Sequence, residues 1–70
     1  MEKNTVEGSV IEILAGGFYK VEINGQEYGC HLAGKMKMNK IRLLVGDRVD
    51  VILDPYKGKM TNRIVYRHNN

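Results

Sequence analysis

Two stretches of strict alternation, joined by a two-residue turn signal, set the terms for this chain. From Phe18 to Ile23, Tyr19, Val21 and Ile23 fall on one side and Phe18, Lys20 and Glu22 on the other. That two-residue period belongs to a strand with one buried face. Asn24-Gly25 follows, and both residues tolerate the positive φ that a tight hairpin turn requires. Glu27 to Leu32 alternates again, with Tyr28, Cys30 and Leu32 together. The centre of the chain therefore reads as a β-hairpin, and what surrounds it must complete a sheet.

Three further runs qualify as strands. Gly8 to Leu14 is rich in β-branched residues. Arg48 to Leu53 follows the Gly46-Asp47 turn with Val49, Val51 and Leu53 on one face. Thr61 to Arg67 sets Ile64 and Tyr66 against Arg63, Val65 and Arg67. Gly34 to Val45 breaks the alternation. There Met38, Ile41 and Leu44 recur at three-residue spacing, which predicts a short helical turn packed on a barrel end. The predicted fold is all-β: a five-stranded OB-type Greek-key barrel with a short helix between strands 3 and 4. An SH3-like barrel is the alternative. With 70 residues, a single domain over 1–70 is expected, with 1–5 and 68–70 as flexible tails.

Charge is unevenly placed. Residues 1–34 carry two basic and five acidic groups, a balance of −3; residues 35–70 carry nine basic and three acidic groups, a balance of +6. Such asymmetry points to a polyanionic partner. One cysteine, Cys30, excludes an internal disulfide framework. No apolar run approaches the roughly 18 residues that span a bilayer, and the N-terminus lacks the pattern of a secretory signal, so a cytoplasmic monomer away from membranes is expected. Catalytic motifs are missing: there is no G-x-S-x-G, P-loop or H-E-x-x-H. Cys30 and His31 are strand neighbours that point to opposite faces, so they do not clasp a metal. No catalytic residue, metal site or cofactor is expected.

The basic segment carries the functional signal. Lys35, Lys37, Lys40 and Arg42 fall within eight residues, with Asn39 among them and Gly34 ahead. Cations at this density neutralise phosphates and release counterions, and an asparagine amide can read a base edge or a 2′-hydroxyl. A solvated, solubilising surface is the plain alternative. Arg63 and Arg67, four apart on a strand, are expected to share a face and extend the footprint, as does His31 on the polar side of its strand. Lys57 and Lys59 add a bordering loop. Phe18, beside Lys20, is a candidate base-stacking surface; plugging one end of the barrel is the alternative. Tyr19, Tyr28 and Tyr66 fall on apolar faces and are expected in the core.

These residues also carry a family resemblance. The stretch from His31-Leu32-Ala33-Gly34-Lys35-Met36-Lys37 through Asn39-Lys40-Ile41-Arg42 to Gly46-Asp47-Arg48-Val49, with the closing Arg63-Ile64-Val65-Tyr66-Arg67, resembles bacterial translation initiation factor one. The match is co-linear from about Val6 to Arg67. It implies an OB fold without catalysis, and binding to the small ribosomal subunit at the decoding site, where the family occludes the aminoacyl-tRNA site. It further implies contacts to 16S-type ribosomal RNA and cooperation with initiation factors two and three. The positions carried over are His31, Gly34, Lys35, Met36, Lys37, Asn39, Arg42, Arg63 and Arg67, with Tyr19 as core. The chain departs from the family in Lys40, often an aromatic, and in Met38, often basic. Asn24-Gly25 makes a tighter turn than usual, and Asn62 stands where glycine usually precedes the arginine. A cold-shock-like chaperone for single-stranded RNA and a small protein-interaction barrel are the competing functions.

Overall fold

The hairpin forms as its residues dictate. In the computed structural model, which describes residues 5–54 and 62–68, strand β2 (Phe18–Ile23) meets β3 (Gln26–Leu32) across a two-residue turn. Asn24 and Gly25 take φ of 52° and 84°. Around this hairpin run β1 (Thr5–Ile13), α1 (Gly34–Met38), β4 (Arg48–Ile52) and β5 (Asn62–Arg67). The strands close into a barrel in the order β1-β2-β3-β5-β4. Among the described residues, β3 and β5 pair in parallel and every other strand pair is antiparallel. This is the predicted five-stranded barrel with one short helix between strands 3 and 4.

The inward faces supply the core. Val10, Val21, Ile23, Cys30, Val49, Val51 and Ile64 are buried, and Met36 and Leu43 join them. β1 crosses β2 closely at Gly8, where a Cβ would sit 2.7 Å from the Glu22 carbonyl oxygen and from side-chain carbons of Val21 and Ile23. At the β3–β5 seam, buried Asn62 accepts a hydrogen bond from the Asp54 amide at 2.9 Å and donates one to the Gly29 carbonyl at 3.0 Å. Asn62 lies inside a strand rather than in a positive-φ turn, so it acts as a polar tie between chain segments.

The segment after β3 differs from expectation. Met38 and Leu44 are exposed, while Met36 and Leu43 are buried and Ile41 is partly so. The cause is where the helix stops. Lys40 adopts φ 55°. Its amide bonds to the Lys37 carbonyl, and that of Ile41 to the Met36 carbonyl, each at 3.1 Å. This is the paired hydrogen-bond pattern of a Schellman ending, with Lys40 in the left-handed position usually given to glycine. The helical spacing therefore ends before Leu44, and Met36 and Ile41 take the packing role. Beyond it, Asp47 Oδ2 accepts from the Leu44 amide at 2.9 Å. The Gly46 amide bonds to the Val10 carbonyl at 2.8 Å, fastening this loop to β1.

A bulge in β5 overturns two expectations. Ile64 pairs with Val51 and Tyr66 with Asp50, leaving Val65 as the extra residue. A bulge reverses which side the following residues face. Arg67 pairs with the inward-facing Val49, whereas Arg63 pairs with Ile52; the two arginines do not share a face. Tyr66 turns outward and is 54% exposed, not core. At the ends, Thr5 pairs with Ile52, and the His68 amide bonds to the Arg48 carbonyl at 2.8 Å. Lys57 and Lys59 lie outside the described residues.

Candidate nucleic-acid interface

Strand register brings three of the sequence candidates into one line. Phe18 on β2 pairs with His31 on β3, and His31 pairs with Arg63 on β5. Directly opposed residues point the same way, and the adjacent Tyr19–Cys30–Asn62 row faces inward. Phe18, His31 and Arg63 thus form an outward row across three strands. The Phe18 and His31 rings meet edge to face, centroids 6.2 Å apart at 75°. His31 Nδ1 lies 3.3 Å from its neighbour's carbonyl, that of Leu32.

Helix α1 packs on β3 and β5, beside this row. Its buried Met36 anchors it, so Met36 packs as a core residue. Gly34, Lys35, Lys37, Asn39, Lys40 and Arg42 are all exposed. Between α1 and β5 runs an open groove lined by Gly34, Lys35, Asp50, Arg63 and Tyr66 among others. Tyr66 is the residue that strand alternation misplaces here. Its exposure depends on the Val65 bulge, which no local pattern announces.

Ion pairing separates the cations into two sets. Lys20 lies 3.3 Å from Glu12 and 3.5 Å from Glu27. The hydrogen bond and charge of Glu12, then the charge of Glu27, hold its ammonium above the ordinary lysine range. Arg48 bonds Glu7 at 2.6 Å, and Arg67 Nε, shielded from solvent, lies 3.3 Å from Asp47 Oδ2. By contrast, Lys35, Lys37, Lys40, Arg42 and Arg63 make no ion pair among the described residues. The uncompensated positive charge gathers on α1, the turn after it and β5. Arg67 is drawn away from it by Asp47. Among the described residues, no three His, Cys, Asp or Glu side chains are grouped to hold a metal ion, and no helix is long and apolar enough to cross a membrane.

The translation initiation factor IF-1 of Ureaplasma parvum serovar 3 is 46% identical over 68 residues, covering 96% of this chain and 90% of the relative. The chain belongs to the translation initiation factor IF-1 family. This is a family of translation factors, not enzymes. The solution structure of the same factor from the Wolbachia endosymbiont of Brugia malayi superposes with a TM-score of 0.75 at 34% identity, over 94% of this chain and 78% of that one. Residues 7–58 also match the family model described as the RsgA N-terminal domain, so the barrel belongs to that domain family as well. YloQ, a circularly permuted GTPase, gives a TM-score of 0.77 at 28% identity, over 93% of this chain but 23% of its own. The barrel is thus a small part of the GTPase, whereas it is nearly the whole of the IF-1 relative.

Proposed function

We propose that this chain serves translation initiation by binding the small ribosomal subunit at the decoding site, occluding the aminoacyl-tRNA position through contacts to 16S-type ribosomal RNA. The observation that carries the reading is the gathering of Lys35, Lys37, Lys40, Arg42 and Arg63, all without ion pairs among the described residues, beside the Phe18–His31 ring pair. The cations supply phosphate contacts. Asn39 offers its amide to base edges or 2′-hydroxyls, and Gly34 gives the RNA backbone close approach. Phe18 and His31 offer ring surface to an unstacked base. The barrel acts as a cytoplasmic, monomeric single domain and works with initiation factors two and three.

The test is co-sedimentation of Lys37→Glu/Arg42→Glu with isolated small subunits. Binding is expected to fall while the circular dichroism spectrum stays unchanged, because both side chains are exposed. Unchanged binding would return the basic segment to a solvated surface.

A further inference from the structure

The basic segment carries one side chain that its charge does not explain. Met38, the last residue of α1, is 83% exposed. Met36, two residues earlier on the same helix, is 5% exposed. Single exposed apolar residues are common, but Met38 stands at the centre of the run that places Lys35, Lys37, Lys40 and Arg42 in solvent. Its place on the helix explains this: at 3.6 residues per turn, a residue two positions from buried Met36 faces nearly the opposite side, and after the turn at Lys40 it is Ile41 that packs against the core with Met36. An unbranched thioether is soft and adaptable, and methionine is among the apolar side chains that wedge against bases. Mild oxidation also converts it from an apolar to a polar side chain.

We propose that Met38 is an oxidation-sensitive contact of the RNA interface, through which hydroperoxides weaken the hold on the small subunit. This rests on the binding reading above. In the reaction the Met38 sulfur attacks the outer oxygen of the peroxide. An S–O bond forms and the O–O bond breaks. Hydrogen peroxide leaves as water, the sulfur is oxidised by two electrons and the peroxide is reduced by two. The sulfoxide places an electron-rich oxygen where the thioether met bases or sugars. Apolar contact is lost, and a negative dipole end is set among phosphates. Buried Met36 is spared, so the barrel stays folded. Reduction by a methionine sulfoxide reductase restores the thioether.

The experiment treats the full chain with hydrogen peroxide, removes the peroxide with catalase, and measures binding to isolated small subunits while peptide mass spectrometry locates the oxygen. Met38 is expected to oxidise before Met36, and affinity to fall about two- to tenfold, the range of a lost sulfur–ring contact. Reductase treatment should recover it. Met38→Leu, read against its own untreated affinity, should show no peroxide effect, which separates Met38 from Met1 and Met60. Full affinity with Met38 oxidised, or an equal loss in Met38→Leu, overturns the proposal. The untreated Lys37→Glu/Arg42→Glu variant keeps the two readings apart. If it binds normally, the RNA reading falls and this one with it. If it binds weakly while peroxide has no effect, only the Met38 proposal falls.

Discussion

Cys30 lies in the inward row between Tyr19 and Asn62, and its burial pushes the thiol up from an ordinary 9.0 to about 12. Alkaline pH therefore works against the folded state. Below about pH 9 the thiol is protonated in both states and its burial has no pH-dependent cost. Between about pH 9 and 12 the unfolded chain sheds this proton and the folded chain keeps it. The folded state binds more protons there, so stability falls as pH rises. Urea titrations across that range should show a steeper loss for the native chain than for Cys30→Ala; parallel curves would sink this account. At the same scale, some residues are legible and others are not. Asn24-Gly25 declares its turn because positive φ is a property of those residues themselves. Asn62 gives no such sign. Its role as a tie comes from Gly29 and Asp54, and only the closed barrel brings them to it.

Helix α1 shows why element ends are harder to read than element types. The loss of alternation after Leu32 correctly announces a helix, but three-residue spacing carries it too far. Lysine in a left-handed position is chosen by tertiary context: Met36 must reach the core and the chain must then turn. That backbone conformation costs a non-glycine residue about 1 kcal/mol. Lys40→Gly is therefore expected to stabilise the barrel by about 0.5–1 kcal/mol, a rise of several degrees in Tm for a domain of this size. The same change removes a phosphate contact, so the salt dependence of subunit binding should weaken by about 0.7 in log–log slope. Calorimetry and binding would move in opposite directions. A fall in Tm would show that Lys40 is not strained. β5 teaches the matching lesson for strands. Its existence is plain from the sequence, but the Val65 bulge reverses Tyr66 and Arg67 because pairing with β4, not local period, decides which side each residue faces.

Across the whole molecule, charge resolves into pairs, most of them within one half of the chain, and a remainder. Glu7, Glu12 and Glu27 engage Arg48 and Lys20, and Asp47 holds Arg67. The cations without an ion pair among the described residues lie beside β3, α1 and β5. With about four to six phosphates neutralised, the affinity for small subunits should fall with salt at a log–log slope of about −3 to −4. Arg42→Gln should reduce that slope by about 0.7 and Arg48→Gln should leave it unchanged; equal effects would mean that position on the barrel does not matter.

The parallel pairing of β3 with β5 also sets an order in time. Arg63 joins the line of Phe18 and His31 only when the last strand docks on the third, after a long loop has closed. A chain still being synthesised can form the central hairpin, but it cannot display the complete row until β5 has been made. A nascent copy therefore lacks the surface proposed to grip a small subunit for as long as its fifth strand is still inside the ribosome that makes it.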